Sequence, residues 1–415
     1  MTSLSDRLKS LGVKIGAQDL PKPDRQRHIP IEEVVDGKEL ETPFGQTFVV
    51  TSTYPAHHRQ GQVDLSLKAT LEPIAAWAGD PRLANLDPEA FVFLDTETSG
   101  LAGGTGTYAF LIGVGRLSQG GFRLAQFFMR DPIEEPAQLA GLIGFLGDYQ
   151  GLVTFNGKSF DVPLLNTRFI TNSEISPLNA AAHLDLLPLA RRLWRDRLPS
   201  RALGFLEEHI LGAKRTQEDV PGWLIPTLYF DYLRDGDARP LKNVFYHNAM
   251  DILSLAALLN HVSTVLADPL GCGLEHATDL IAIARLFEDL GKTEMAAQLY
   301  KHGLDQELPA EISAATARRW SIMEKRRENL PAALEMWRHA AEQGEIYAHE
   351  ELAKYFEHRE RDYTQAIYWT KQALNLVESP GFSRLEHQHL YIELKHRLAR
   401  LERKQKNSGS SEDAD

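Results

Sequence analysis

An uninterrupted apolar run that ends in two carboxylates constrains the fold of this chain more than any other feature. The segment Phe91–Leu94 is wholly apolar and leads directly into Asp95-Thr96-Glu97. Because the run does not alternate with polar residues, it predicts a strand that is covered on both faces, as in a layered α/β core. Successive side chains on a strand alternate between faces, so Asp95 and Glu97 project to the same side. The sequence therefore predicts two neighbouring carboxylates at the edge of a core.

This carboxylate pair admits two interpretations. Like charges held this close are costly unless a cation neutralises them, which favours a divalent metal site with oxygen ligands. Alternatively, the strand has run out into a loop, Thr98-Ser99-Gly100, and the two acids are simply solvated. Residues further along the chain decide between the two.

Composition limits the classes of protein that this chain can be. A length of 415 residues predicts two or three domains, and 43% hydrophobic with 25% charged residues is ordinary for a soluble globular protein. The single cysteine, Cys272, excludes an internal disulfide framework and a cysteine-based zinc site. No apolar stretch reaches the roughly 18 residues of a spanning helix. We expect a cytoplasmic protein that does not engage a membrane.

Net charge argues against a protein that coats nucleic acid by bulk electrostatics, because the formal value is −12. It does not exclude a local basic surface. Over residues 191–215 basic side chains outnumber acidic ones, which a solvated helix face explains as readily as a binding surface. The basic residues are Arg191, Arg192, Arg195, Arg197, Arg201, Lys214 and Arg215.

Periodicity from residue 90 onward predicts a regular alternation of elements. Three adjacent strands are followed by a helix, another strand and then helical segments to about 265, which is the opening order of a ribonuclease H-like fold. A Gly120-Gly121 pair is a hairpin signal between the second and third strands. The glycine-rich stretch 103–107 is not a phosphate-binding loop, because no Lys-Ser/Thr follows and no helix signal opens there. The predicted elements are strands 91–96, 109–117, 122–129 and 152–155 and a helix at 136–146.

The C-terminal third has a different texture, with continuous helix formers and an internal repeat. Small residues seven positions apart around an aromatic residue recur from Ala296, Ala333 and Ala366, with starts 37 and 33 residues apart. These spacings bracket the 34-residue tetratricopeptide period and predict three stacked helix pairs. An irregular helical bundle is the alternative.

Two further segments supply partners for the acid pair. Asn156-Gly157-Lys158-Ser159-Phe160-Asp161 follows the strand at 152–155, where Asp161 could equally be a first-turn acid favoured by the helix dipole. His247 and Asp251 lie four residues apart before an apolar helical run, so they share a helix face. A surface ion pair would produce the same spacing.

Taken together, D-x-E, then N-x-x-x-F-D after a strand, then H-x-x-x-D on a helix resembles the three motifs of the DEDD superfamily of ribonuclease H-like 3′-to-5′ exonucleases. The resemblance covers about 90–265. The added C-terminal repeats, together with His183-Leu184-Asp185-Leu186-Leu187, which we place as a strand near the site, resemble a bacterial family of ribonuclease H-like domain proteins with tetratricopeptide repeats.

By this resemblance, Asp95, Glu97, Asp161 and Asp251 are the metal ligands for two divalent cations, Mg²⁺ or Mn²⁺. The resemblance implies that Asp95 bridges both ions, that Glu97 and Asp251 lie mainly on one side, and that Asp161 acts through water. Two ions about 3.5–4 Å apart suit phosphodiester hydrolysis, because they activate a water and stabilise the leaving oxygen.

The residue that handles the attacking water departs from the superfamily pattern. Members place a Tyr four positions before the last Asp or a His five positions before it, whereas here Tyr246 is five before Asp251 and His247 is four before it. Because His247 shares a helix face with Asp251, and because an imidazole can accept a proton at neutral pH, we assign this role to His247.

The resulting prediction is a ribonuclease H-like α/β domain, a mixed sheet flanked by helices, followed by an all-α repeat domain. Its function is metal-dependent 3′-to-5′ hydrolysis of single-stranded DNA or RNA, with the repeats recruiting a protein partner or the strand. A catalytically weak binding scaffold and a structure-selective endonuclease are the alternatives. The expected domains are an extension of unknown role at 1–80, the nuclease domain at 81–268, repeats at 275–402 and a disordered acidic tail at 403–415. Candidate substrate-binding residues are Thr98, Asn156, Arg191, Arg192 and Tyr246.

Overall fold

The computed structural model describes residues 28–100, 106–379 and 384–412. Most of the glycine-rich stretch 103–107 lies outside this described part. Two compact units are present. The first contains the chain up to Arg191 together with Ser200–Ala267, and the second contains Arg192–Pro199 together with the chain from Asp268 onward.

A seven-stranded mixed sheet forms the centre of the first unit. Its strand order is β1-β2-β7-β6-β5-β8-β9, in which β5, β8 and β9 are mutually parallel and the other neighbours are antiparallel. Two short strands, β3 and β4, pair separately. The strands are β1 Gly37–Thr42, β2 Gly45–Pro55, β3 Arg59–Gln60, β4 Val63–Asp64, β5 Phe91–Thr98, β6 Ala109–Ser118, β7 Gly121–Phe128, β8 Gly151–Thr154 and β9 Ala182–Asp185.

Helices cover both faces of this sheet. On one face, Leu139 and Leu142 of α2 pack with Val92 and Leu94 of β5, and on the other Val244 of α7 lies in the cluster that contains Phe110 of β6. The apolar run in β5 fails to alternate because each of its faces meets a helical layer. The predicted mixed sheet flanked by helices is thus confirmed. The helices are α1 Glu72–Ala78, α2 Glu135–Leu146, α3 Asp161–Thr171, α4 Leu186–Trp194, α5 Leu203–Leu206, α6 Ile225–Asp235 and α7 Leu241–Ala267.

The longest helix of the first unit, α7, brings site residues against the sheet. It is long and apolar enough to cross a membrane by length and composition, but 78% of its most apolar window is buried inside the protein, as expected of a core helix. Close approach depends on Gly113 of β6, where an added Cβ would lie 2.2 Å from the Asn248 side-chain oxygen. A larger residue at 113 would clash with the Asn248 side chain and displace it from its position beside β6.

Residues 28–80, the described part of the extension predicted at 1–80, belong to the first unit rather than to a separate domain. Their strands β1 and β2 extend the sheet, since β2 pairs with β7 along its length from Phe48 opposite Phe128 to Pro55 opposite Gly121. Phe48 and Val49 are buried on opposite faces, in the two apolar clusters. Local sequence did not reveal this pairing, because β7 lies more than 60 residues later in the chain. The predicted hairpin between β6 and β7 is present.

Seven helices make up the described part of the second unit, and each contacts the next along the chain. The small residues Ala296, Ala333 and Ala366, which mark the predicted repeat, are all fully buried on the second helix of each consecutive pair. The helices are α8 Ala277–Asp289, α9 Thr293–Leu304, α10 Ala310–Arg326, α11 Leu330–Glu342, α12 Ile346–Tyr355, α13 Tyr363–Val377 and α14 Arg384–Glu412.

The predicted disorder of the tail from 403 is wrong for residues 403–412, which continue helix α14. This helix is anchored close to its C-terminal end. Leu401 is buried with Ala366, and the buried Glu357 accepts hydrogen bonds from Arg400 and Lys404 at 2.9 and 3.0 Å. Acidic composition favoured disorder, but these contacts hold the helix. Residues 413–415 lie outside the described part of the chain.

Candidate functional site

The four predicted carboxylates come from three elements that meet at one edge of the sheet. Asp95 and Glu97 lie on β5, Asp161 is the first residue of α3, and Asp251 is on α7. Strands β5 and β8 are parallel, with Phe93 opposite Val153, so the segments that follow both strands emerge at the same edge. A bulge between Glu97 and Thr98 breaks the pairing with β6, a common device beside functional sites.

A buried amide network holds Asp95. The Asn248 side-chain nitrogen donates a hydrogen bond of 2.9 Å to Asp95 Oδ2, and the Asn248 oxygen accepts one of 3.0 Å from Gln126. Gln126 also donates to the carbonyl of Phe245 at 2.8 Å. Asn248 and Gln126 are buried, so the network ties β5, β7 and α7 together and orients the carboxylate. Neither residue was predicted, although Asn248 lies inside the motif that begins at His247.

Asp161, the first residue of α3, is held against β5 by Thr96. Its Oδ1 accepts hydrogen bonds from the backbone nitrogen and the hydroxyl of Thr96, at 3.1 and 2.5 Å. Burial raises the pKa of Asp161 to about 6, against the lowering effect of the Thr96 hydrogen bonds. The side chain is therefore a buried carboxyl held at its functional position, rather than an exposed first-turn acid.

Mutual repulsion shows that the carboxylates are close. Burial and then the negative charges of Asp251, Glu97 and Asp161 raise the pKa of Asp95 well above its usual range, while the hydrogen bond from Asn248 lowers it. Burial and the charges of Asp251 and Asp161 likewise raise the pKa of Glu97. The interpretation of Asp95 and Glu97 as solvated loop acids is therefore excluded.

The imidazole of His247 faces this cluster. Ligand atoms of Glu97, His247 and Asp251 lie within 4.8 Å of one another, and His247 Nε2 is 3.6 Å from Asp251 Oδ2. The other ring nitrogen, Nδ1, lies 2.7 Å from Asp219 Oδ1. Arg215 Nη1 lies 3.0 Å from the same nitrogen, so Asp219 and Arg215 together hold this edge of the ring while Nε2 faces Asp251. Asp219 was not predicted.

Arg215 supplies a positive charge inside the acidic site. Its guanidinium forms two hydrogen bonds of 2.6 Å to the fully buried Glu207 and also pairs with Asp251. Glu207 begins a π-helical turn, Glu207–Leu211, a distortion often found at functional sites. The sequence marked Arg215 only as one member of a basic run. Arg215, His247 and Asp251 line one cavity of 650 Å³.

Two predicted substrate-binding residues make local hydrogen bonds. Tyr246 points its hydroxyl at the loop after Arg215, where it accepts a hydrogen bond of 3.1 Å from the backbone nitrogen of Thr216. Thr98 donates a hydrogen bond of 2.9 Å to the carbonyl of Gly100. Of the two neighbours, His247 points Nε2 to within 3.6 Å of Asp251 Oδ2, whereas the hydroxyl of Tyr246 is engaged with the loop.

The other predicted substrate-binding residues separate into two sets. Asn156 and Arg191 line a common cavity in the first unit, together with Arg201. Arg192, by contrast, belongs to the second unit, where its guanidinium pairs with Asp289. The charge of Arg192 is thus engaged in an ion pair within the second unit.

The donor set fits a divalent cation. Four buried or half-buried carboxylates offer only oxygen ligands, which suit Mg²⁺ and Mn²⁺, and one imidazole lies among them. Burial and the neighbouring carboxylates raise the pKa of Asp95 and Glu97, so ionising both is unfavourable even though Arg215 lowers the pKa of Glu97. A bound cation would remove that cost.

Comparison with known proteins agrees with this geometry. Residues 92–263 match the RNase H superfamily. The chain is 32% identical over 361 residues to the uncharacterized protein YprB of Bacillus subtilis (strain 168), and the match covers 85% of this chain and 84% of that protein. This chain belongs to the YprB family. The residues that match the RNase H superfamily contain all four carboxylates, and a helical region follows them in this member of the YprB family.

Among solved structures, the family B DNA polymerase of Pyrobaculum calidifontis is similar to part of the chain. The TM-score is 0.33 at 16% identity, and the match covers 48% of this chain and 29% of the polymerase. A similarity this low has no bearing on activity.

Proposed function

We propose that this protein is a divalent-metal-dependent 3′-to-5′ exonuclease that hydrolyses phosphodiester bonds of single-stranded nucleic acid. The observation that carries the proposal is the cluster of Asp95, Glu97, Asp161 and Asp251, drawn from three elements to one edge of an RNase H superfamily domain. Burying this many like charges is costly and has no structural purpose unless cations bind there.

These four residues would hold two Mg²⁺ or Mn²⁺ ions, which supply a nucleophilic water and stabilise the leaving oxygen. The protein's own contribution is positional. The hydrogen bond from Asn248 sets the Asp95 carboxylate, and Asp219 sets the ring of His247. His247 Nε2 is then the atom that takes the proton from the attacking water.

Arg215 has a separate electrostatic role in this proposal. Its guanidinium is anchored on Glu207 and reaches Asp251, so it offsets part of the negative charge that would otherwise repel a phosphate. We further propose that the second unit is a tetratricopeptide-like array that recruits a protein partner or the substrate strand. Its consecutive helix contacts and its buried small residues at Ala296, Ala333 and Ala366 support this assignment.

The test is digestion of single-stranded DNA and RNA carrying a label at either end, with Mn²⁺ or Mg²⁺. A 3′-to-5′ exonuclease converts a 5′-labelled strand into a ladder and releases a labelled mononucleotide from a 3′-labelled strand at the earliest times. Asp95→Asn should lose activity by orders of magnitude. The matched control is Asp148→Asn, which removes an exposed carboxylate just before β8, at the opposite edge of the sheet.

Two outcomes would replace the proposal. Internal cuts of both labelled strands would make the protein an endonuclease on the same fold. Binding of either strand without cleavage, unchanged in Asp95→Asn, would make it a scaffold.

A further inference from the structure

A second cavity in the first unit contrasts with the acidic site in charge. Its volume is 390 Å³, which lies in the range of small-molecule sites, and the charged side chains that line it are two arginines, Arg191 and Arg201. No acidic side chain lines it. Its full lining is Phe155, Asn156, Leu187, Arg191, Arg201 and Ala202.

Sheet geometry places this cavity beside the carboxylates. Phe155 directly follows β8, whose Val153 pairs with Phe93 of β5 in parallel register, and the loop that it opens leads to Asp161. Neighbouring strands are about 4.8 Å apart, so Phe155 and Asn156 begin roughly one strand spacing from the catalytic edge. Leu187 follows β9, one strand further. The cavity thus starts within a nucleotide's reach of the acidic cluster.

One buried carboxylate holds two walls of the cavity in place. Asp185, the last residue of β9, accepts hydrogen bonds from the backbone nitrogens of Asn156, Lys158 and Leu187 at 2.7, 3.1 and 3.1 Å. Asn156 also takes a left-handed backbone conformation, with φ of 66°, which asparagine tolerates better than most residues. These bonds fix the loop after β8, so the binding surface is formed before a ligand arrives.

We propose that this cavity binds the nucleotide adjacent to the one that is cleaved, through an internal phosphodiester group of the strand. Arg191 and Arg201 contact the phosphate, for which guanidinium groups are well suited, and Phe155 and Asn156 contact the base or sugar. The inference rests on the proposed nuclease function and adds the position and chemistry of its substrate-binding subsite.

The experiment measures binding of a short fluorescein-labelled single strand by fluorescence anisotropy, with EDTA present so that the strand stays intact. Arg191→Gln and Arg201→Gln should each weaken binding about tenfold. Each should also lower the slope of log affinity against log salt by about 0.7, the value for one lost phosphate contact on a single strand. Arg191 is exposed, so its variant tests the cavity without disturbing folding.

Arg123→Gln is the matched control. Arg123 is exposed on β7 and pairs with Arg116 of β6, which in turn pairs with Val92 of β5. Arg123 therefore lies level with the end of β5 that is away from the carboxylates. Its removal takes away the same charge and should change neither affinity nor salt slope. A strand with uncharged methylphosphonate linkages should bind the wild type and both cavity variants equally.

Failure of this inference and failure of the proposed function are distinguishable. If the wild type binds and cleaves the strand while Arg191→Gln and Arg201→Gln retain its affinity and salt slope, the subsite is wrong and the nuclease remains. If the wild type neither binds nor cleaves any strand, both are overturned.

Discussion

Replacing Asp161 with Asn should stabilise the metal-free protein and remove its response to metal. The Asn side chain keeps an oxygen that can accept the hydrogen bonds from the backbone and hydroxyl of Thr96, so the start of α3 stays attached to β5. What it removes is a negative charge that is 92% shielded from solvent, since the exposed fraction of Asp161 is 8%.

The magnitude follows from the pKa shift. The pKa of Asp161 rises from 3.8 to about 6 on folding, chiefly through burial. Between these pH values the folded state binds more protons than the unfolded state, so the free energy of unfolding falls as pH rises through this window. At pH 7 the full penalty is present and amounts to about 3 kcal/mol at 1.36 kcal/mol per unit. Weaker hydrogen bonds to a neutral amide offset part of this, leaving a net gain of about 1–3 kcal/mol.

Hydrogen exchange of peptides from β5 and β6 is the appropriate assay, because it reports on the first unit without assuming one unfolding transition for a two-unit chain. In EDTA at pH 7 the slowest amides of Asp161→Asn should exchange about 5- to 150-fold more slowly than those of the wild type, and the difference should shrink toward pH 4. Mn²⁺ should slow exchange in the wild type, by about 100-fold at one hundred times its dissociation constant, and much less in Asp161→Asn.

The exposed Asp148 provides the control for Asp161. Asp148→Asn removes an exposed carboxylate and should alter neither exchange nor the Mn²⁺ response. If Asp161→Asn exchanges at the wild-type rate in EDTA, burial of the Asp161 charge does not destabilise the protein. If Mn²⁺ protects the variant as strongly as the wild type, Asp161 does not bind metal and the assignment fails.

Three further changes test other parts of the site. Arg215→Gln should destabilise the first unit by about 3–5 kcal/mol in the same exchange assay, because it leaves Glu207 buried without its cation, and Glu207→Gln added to it should restore most of the loss. Equal stability of Arg215→Gln and of the double variant Arg215→Gln, Glu207→Gln would contradict this. His247→Ala should slow single-turnover cleavage about 10²- to 10⁴-fold while Tyr246→Phe stays close to the wild type, and the reverse ranking would transfer the role to Tyr246. Asp185→Ala should speed exchange of the amides of Asn156 and Lys158, which lose their acceptor, and unchanged exchange would show that another group orders that loop.

Local patterns predicted the elements that carry the clustered carboxylates. The apolar run before Asp95 identified a strand covered on both faces, and alternation along it placed Asp95 and Glu97 on one side, as β5 shows. The four-residue spacing of His247 and Asp251 likewise predicted a shared helix face, and α7 provides it. These inferences succeed because the period of a strand or a helix depends only on neighbouring residues.

The pairing of β2 and the helical tail could not be predicted in this way. β2 exists as a strand of this sheet because β7, more than 60 residues later, offers it a hydrogen-bonding edge. The helix that continues through 403–412 is held by Arg400 and Lys404, which donate hydrogen bonds to Glu357, a residue far earlier in the chain. In both cases the deciding partner is far away in sequence, and the local composition carries no mark of it.

The sequence by itself determined the α/β class of the first unit, the helical character of the second, and which carboxylates gather at the sheet edge. The packing of distant segments set the charge partners of the groups at that edge. It placed Arg215 on Glu207 and Asp251, set Asp219 behind His247, and joined Asn156 to Arg191 and Arg201 around one cavity. The physical reason is that periodicity encodes the direction of a side chain from its own strand or helix, whereas a charge acquires its partner only when separate segments pack together.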